Sequence, residues 1–350
     1  PADGSAEDIR QLYPTRDDAL PVYVQEQGAV VGRRGKTLVI SKARETIATA
    51  RQADVSQLVL CGNVSVTAQA LHTLCEENIP IVHMSMGHWF YGVTTGMGVR
   101  NSFTRAAQFL RAADRAAVLA LAKRIVGAKG ANQRLMLRRN ADSSVKAALD
   151  DISDVLRRID AADNTQHLLG LEGAMAASYF GSFSCMFKPR NLDIEWDFTN
   201  RNRRPPRDPI NTLLSFGYAM LAKECTVALI TEGLDPWWGF FHQPRHGRPA
   251  LALDLMEEFR PLIVDSAVLV AVNTGMLGDG HFRRSKANCL LTPTGRKAYI
   301  RAYEARLDQL VTHPVFEYRC SWRAVIRLQA RLLAKWITDD IPEYLPMTTR

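Results

Sequence analysis

Near Thr104 the spacing of apolar residues changes from a strand period to a helix period, in a chain of 350 residues with room for two cores. Upstream, the runs at 22–24, 29–32 and 37–40 read as strands, with Arg33-Arg34-Gly35-Lys36 supplying hairpin-turn chemistry. Residues 57–61, 79–83 and 89–93 are strand-like too, and Ser65 is placed to cap a helix reaching Glu77. This order describes a small β-rich domain over residues 20–98 with one helix, not a nucleotide-binding βαβ domain. No glycine-rich phosphate loop is present, which argues against an NTPase. Downstream, helical periodicity runs over about 105–127, 142–161, 164–181, 209–232, 249–276, 295–311 and 319–337, with Asp208 and Pro209 as cap and first residue of the fourth segment. The expected fold class is α+β multidomain: the β-rich domain is followed by a larger all-α catalytic domain over 99–340. Residues 1–19 read as a linker or fusion junction and 341–350 as a tail.

Charge bears on partners rather than on fold. A net charge of +8 and a pI near 9.3 favour an anionic partner. No apolar run reads as a membrane span; the stretch 262–272 is short and broken by Asp265. Six cysteines without a C-x-x-C pair read as reduced thiols of a cytoplasmic protein, and argue against zinc or iron–sulfur ligation within this chain. His83, His88 and Cys61 match no metal spacing. The first methionine is Met84, so the chain reads as a fragment or processed piece, with no signal peptide visible.

The chemistry-bearing stretch is 239–261. His242 lies on a turn punctuated by Pro244 and Gly247, and Pro249 suits the first turn of the helix that follows. Asp254 and Glu257, three apart on that helix, project from one face. An imidazole beside convergent carboxylates suits a hard or borderline divalent ion; the plainer alternative is a packed histidine and two solvated acids. His242 and His246 are four apart, but Pro244 between them disfavours the helical zinc pair of metalloproteases. Glu172, on the third helix among Leu168, Leu171 and Met175, must be paired, protonated or metal-bound if it loses water. Tyr179, two turns along on the same helix, is either packed or, if this surface handles a phosphate, close to it.

Basic residues surround these groups. Arg201, Arg203, Arg204 and Arg207, with Lys188 and Arg190 upstream, form either a phosphate-tracking loop or a solvated one. Asn211, Ser215 and Tyr218 make a polar stripe on the next helix, which argues for a surface facing the site. Arg245, Arg248 and Arg260 are placed to neutralise DNA phosphates near His242. Trp237-Trp238 suits core packing, with covering DNA as the alternative. Arg319, Arg323, Arg327 and Arg331 repeat every four residues, as a phosphate-facing stripe or a solvated face.

Three ordered stretches carry a family resemblance: Leu171-Glu172-Gly173 with Tyr179-Phe180; Arg204-Pro205-Pro206-Arg207-Asp208-Pro209-Ile210-Asn211 running into 213–218; and His242 with Gly247-Arg248 and Asp254-Leu255-Met256-Glu257-Glu258-Phe259-Arg260-Pro261. Over about residues 20–335 the chain resembles the CRISPR-associated integrase, the endonuclease of the spacer-acquisition module. The resemblance implies that Glu172, His242 and Glu257 hold Mg²⁺ or Mn²⁺, with Asp254 as an auxiliary acid, and that a DNA 3′-hydroxyl attacks a phosphodiester to insert prespacer DNA at the CRISPR leader-repeat. It further implies a homodimer, a small ferredoxin-like partner bridging two dimers, and an iron–sulfur nuclease fused or associated. The stretch 16–24 resembles the junction of such a fusion. A metal-bound His242 must be neutral, so activity should fall in acid. Two rivals remain: a structure-specific metal-dependent nuclease without integration, and a catalytically inert DNA-binding scaffold.

Overall fold

The computed structural model describes residues 19–97, 102–202 and 205–349. Two compact units emerge, Pro1–Met97 and Gly98–Arg350. The proposed junction over residues 1–18, and Arg203 and Arg204, lie outside the described residues.

The first unit is built on strands β1 (Leu20–Val24), β2 (Val30–Arg34), β3 (Thr37–Lys42), β4 (Glu45–Arg51), β5 (Val55–Cys61), β6 (Ser65–Val66), β7 (Ile81–Met84) and β8 (Phe90–Thr94), with helix α1 (Ala68–Glu76). They form two four-stranded sheets, ordered β1-β5-β7-β8 and β4-β3-β2-β6. Val31, Leu38, Leu58, Leu74 and Ile81 from both sheets and the helix close one core. The turn between β2 and β3 uses Gly35 at φ +58, where a side chain would be strained.

Three details depart from expectation. Thr67, not Ser65, caps α1, its hydroxyl accepting from the Ala70 amide at 3.3 Å, while Ser65 pairs with Val30 in the sheet. The crossover from β5 through α1 to β7 is a parallel βαβ unit. Strand β4 was not legible because it is an edge strand whose residues are almost all exposed, so it carries no apolar alternation.

The second unit is mostly helical: α2 (Ser102–Ala113), α3 (Arg115–Asn140), α4 (Lys146–Arg158), α5 (Thr165–Gly181), α6 (Pro209–Thr231), α7 (Ala250–Met256), α8 (Ser266–Asn273), α9 (Pro293–Asp308) and α10 (Trp322–Ile337). The expected helix over 105–127 is two helices. Asp114 breaks it, accepting from the Ala116 amide at 2.8 Å and starting α3 afresh. Asn164 caps α5 and Asp208 caps α6, each through its side-chain oxygen.

The unit is not all-α. Short antiparallel pairs β9 (Phe282–Arg284) with β10 (Cys289–Leu291), and β11 (Leu310–Thr312) with β12 (Arg319–Ser321), punctuate its last third. Helix α6 is long and apolar enough to cross a membrane by length and composition, which the sequence reading did not register; 67% of its apolar window is buried inside the protein. The segment 341–349 is not a loose tail, since Tyr344 and Met347 are buried. The arginine row at 319–331 is solvated only in part: Arg319 is exposed, but the row turns inward beyond it. Arg323 is buried against Glu304 (2.6 Å) and Asp308 (3.0 Å), and Arg331 pairs with Glu232 at 3.1 Å.

Candidate metal centre

Helix α7 points Asp254 back at the turn that precedes it. Its Oδ2 accepts from the amides of Phe240 (2.7 Å) and Phe241 (3.1 Å). Its Oδ1 accepts from the His242 amide (2.8 Å) and lies 2.7 Å from His242 Nδ1. Asp254 is fully buried, so this carboxylate is consumed in holding the loop and the ring. With Nδ1 donating to Asp254, Nε2 is the nitrogen that a neutral ring would offer to a metal. Both oxygens of Asp254, the expected auxiliary acid, are thus taken up by the loop and the ring. Gly239 permits the close approach of loop and helix: a Cβ there would sit 2.6 Å from the His242 carbonyl and 2.8 Å from the Ala250 backbone.

Glu257 follows α7 and is buried, with Oε1 3.8 Å from His242 Nε2. Glu172 comes from α5. Between the two acids stands Lys129 of α3, whose Nζ donates to Glu172 Oε1 and lies 2.7 Å from Glu257 Oε2. Arg260 Nε takes the other oxygen of Glu257 at 3.0 Å. Burial would lift the Glu257 carboxyl, but Arg260, Lys129 and His242 outweigh it and hold the group down at about 2. Burial likewise works against a charged Lys129, yet Glu257 and Glu172 push its pKa above the ordinary lysine value.

Among the described residues, no three His, Cys, Asp or Glu side chains are grouped tightly enough to hold an ion as they stand. The ammonium of Lys129 separates the two acids. The donor set nevertheless fits a divalent ion. Two carboxylates meet one positive charge, and an imidazole nitrogen lies 3.8 Å from Glu257 Oε1, a set of oxygen and nitrogen donors of the kind such ions take.

A second layer backs the site. Residues Arg260–Asp265 form a π-helical segment, in which the backbone bond spans five residues and not four. Both ends of that segment meet Tyr218: the Arg260 guanidinium lies 4.5 Å from the ring centre, and Asp265 Oδ1 accepts from the hydroxyl at 2.6 Å. Tyr179 donates to the other oxygen of Asp265 at 2.8 Å. Burial raises Asp265 to about 6, against the lowering effect of the Tyr218 and Tyr179 hydrogen bonds.

The expected DNA contacts therefore divide. Tyr179 is fully buried and bonded to Asp265, so it is a packing residue and not a phosphate contact. Asn211 is also fully buried; it donates to Asp208 and to the Asn200 carbonyl, and accepts from Arg201 and the Asn202 amide. The polar stripe of α6 holds the preceding loop, with Ser215 accepting from Arg201 at 3.2 Å and Tyr218 5.4 Å beneath its guanidinium. Arg260 is engaged by Glu257 and Tyr218 rather than presented to DNA.

Arg190, Arg207 and Arg245 are exposed, and Arg248 is half-buried beside Arg245. Burial and the charge of Arg245 lower Arg248 from the ordinary arginine value. Trp237 and Trp238 are 46% and 45% exposed, so they are not core residues; Trp238 packs edge-on against Phe109 at 5.3 Å. Sequence reasoning missed Lys129, although a signal existed: a lysine four residues from Ile125 and three from Val126, inside the apolar face of α3.

The profile of the family described as CRISPR associated protein Cas1 matches residues 22–305. A CRISPR-associated exonuclease Cas4/endonuclease Cas1 fusion of Geobacter sulfurreducens is 46% identical over 97% of the chain and 62% of its own length; a fusion of Rhodospirillum rubrum is 44% identical over 95% and 58%. The chain thus spans about three fifths of these curated relatives. A CRISPR-associated endonuclease Cas1 of Thermus thermophilus is 36% identical over 94% of this chain and 97% of its own. Among solved structures, a casposase bound to integration product superposes with a TM-score of 0.77 at 27% identity, covering 92% of both chains. A CAS1 protein from Thermotoga maritima shares the fold, with a TM-score of 0.75 at 23% identity over 91% of this chain and 96% of that one. The chain belongs to the Cas1 family of CRISPR-associated proteins.

Proposed function

We propose that this chain is a metal-dependent DNA integrase and endonuclease that joins prespacer DNA to a CRISPR array. One observation carries the reading: Glu172 and Glu257, from distant parts of the chain, meet a single positive charge beside a histidine whose Nε2 is turned toward Glu257 by Asp254. Glu172, His242 Nε2 and Glu257 would hold Mg²⁺ or Mn²⁺. When bound, such an ion polarises a phosphodiester and stabilises negative charge on the departing oxygen. A 3′-hydroxyl oxygen of incoming DNA forms the new bond to phosphorus as the 3′ oxygen of the target strand leaves. One phosphoester is made for each one broken, and no covalent enzyme intermediate is required. Water in the same position gives cleavage instead. Asp254 fixes the ring, Arg260 fixes Glu257, and the exposed Arg190, Arg207 and Arg245 steer phosphates toward them.

The names of the relatives support a working assembly of several partners. The casposase structure is named for its integration product, and the fusion relatives are named for a Cas4 exonuclease beside the Cas1 endonuclease. We assign this chain the same classes of partner: prespacer and leader-repeat DNA, a second copy of itself, a small ferredoxin-like protein bridging two dimers, and an iron–sulfur nuclease, in the cytoplasm. The test is a strand-transfer assay with prespacer and repeat DNA and either ion. Joined product that disappears in Glu172→Ala and His242→Ala supports the reading. Cleavage without joining identifies a nuclease, and DNA binding without either identifies a scaffold.

A further inference from the structure

Lys129 is the group at the centre that the integration chemistry does not call for. Its side chain is 9% exposed, and it stands between the two acids assigned to the ion. Its backbone is closely packed on the side that faces α4 and α5. A Cβ on neighbouring Gly130 would lie 2.4 Å from Met175 Sδ and 2.9 Å from Leu156 Cδ2, so α3 packs closely on α4, which carries Leu156, and on α5, which carries both Met175 and Glu172. Packing alone therefore presents the ammonium to Glu172, and only the flexible four-carbon stem can move it.

We infer that Lys129 is an internal cation that competes with the divalent ion for Glu172 and Glu257. The inference rests on the metal-centre reading above. Two carboxylates brought together out of water repel each other and lose hydration, and one ammonium between them offsets both costs. A divalent ion at the same oxygens would face that ammonium at a few ångströms, in surroundings that screen charge poorly. Lys129 must give up at least one carboxylate as the ion binds. Both oxygens of Glu257 already face a cation, Arg260 at Oε1 and Lys129 at Oε2. The metal-free centre is thereby held together in a closed form, and part of the ion's binding energy goes into opening it.

The experiment titrates Mn²⁺ by calorimetry into the full chain, its Lys129→Met and Lys129→Arg variants, and Glu257→Gln as a site control. Since removing one partner of a buried ion pair is strongly unfavourable, Lys129→Met should melt lower in EDTA yet bind Mn²⁺ on the order of tenfold or more tighter. Lys129→Arg, which keeps the charge, should bind no tighter than the unaltered chain. Equal or weaker binding by Lys129→Met overturns the competition and leaves the metal centre standing. An unaltered chain with no binding that Glu257→Gln removes overturns both. If Lys129→Met does not fold, Mg²⁺ titration of the unaltered chain decides: the Lys129 Nζ resonance should shift on saturation, and an unmoved resonance sinks the inference.

Discussion

Asp254 and His242 are joined twice: one carboxylate oxygen accepts from the backbone amide at 2.8 Å and lies 2.7 Å from ring Nδ1. Loop position and ring orientation are therefore set by the same atom. Asp254→Asn should lower Mn²⁺ affinity or DNA joining by roughly 10–100-fold, the usual cost of losing the partner that orients a metal-bound histidine. It should also lower stability by about 1–3 kcal/mol, because an amide group cannot accept on both sides and buried N–H groups are left unmet. Joining at the unaltered rate would show that His242 does not depend on this contact.

Glu172→Ala and His242→Ala should each abolish joining while DNA affinity stays within a few-fold of the unaltered chain, because the exposed arginines supply most of the binding. Electrophoretic mobility shift beside the joining assay reads the two separately. A parallel loss of affinity would place these residues in DNA binding instead.

Arg190→Ala, Arg207→Ala and Arg245→Ala should weaken binding evenly across DNA sequences. Each should reduce the slope of log affinity against log salt by about one, the signature of a lost phosphate contact. Asn211→Ala, by contrast, should lower the melting temperature, because Asn211 is buried and ties down Arg201 and Asn202. An unchanged salt slope in all three arginine variants would remove this face from the DNA path.

Two adjacent acids should oppose each other in the pH dependence of stability. Glu257 sits at about 2, below its ordinary value, so its contribution is present above about pH 4.5 and is lost as pH falls toward 2. Burial raises Glu258 to about 8 despite hydrogen bonds from Tyr344, the Met347 amide and Gln329. The unfolded chain ionises that group near 4.5 and the folded one near 8, so stability should fall across that interval by on the order of a few kcal/mol. Denaturant melts between pH 5 and 8 should show the decline, and Glu258→Gln should flatten it.

Tyr344→Phe removes the hydroxyl that donates to Glu258 Oε1 at 2.6 Å, in a segment that also gives the Met347 amide to Oε2 at 2.6 Å. A loss of about 1–2 kcal/mol is expected. Because Glu258 adjoins Glu257, joining should fall with it. Full activity at unchanged stability would make the segment a passive cover.

The sequence alone determined what depends on neighbours along the chain. Period marked most strands and helices, Asp208 with Pro209 announced its helix by side-chain chemistry, and the spacing of His242, Asp254 and Glu257 placed an imidazole and two acids together. Periodicity says which face of a helix is apolar, but not what stands opposite. Only the tertiary structure decided that Lys129 meets Glu172 and Glu257, that Asp254 is spent on orienting His242, and that Tyr179, Asn211 and Arg323 are buried. It also brought Tyr344 and Met347 onto Glu258 from more than eighty residues away. Charges so far apart in sequence acquire their roles from packing, because burial is what makes an unmatched charge too costly to leave without a partner.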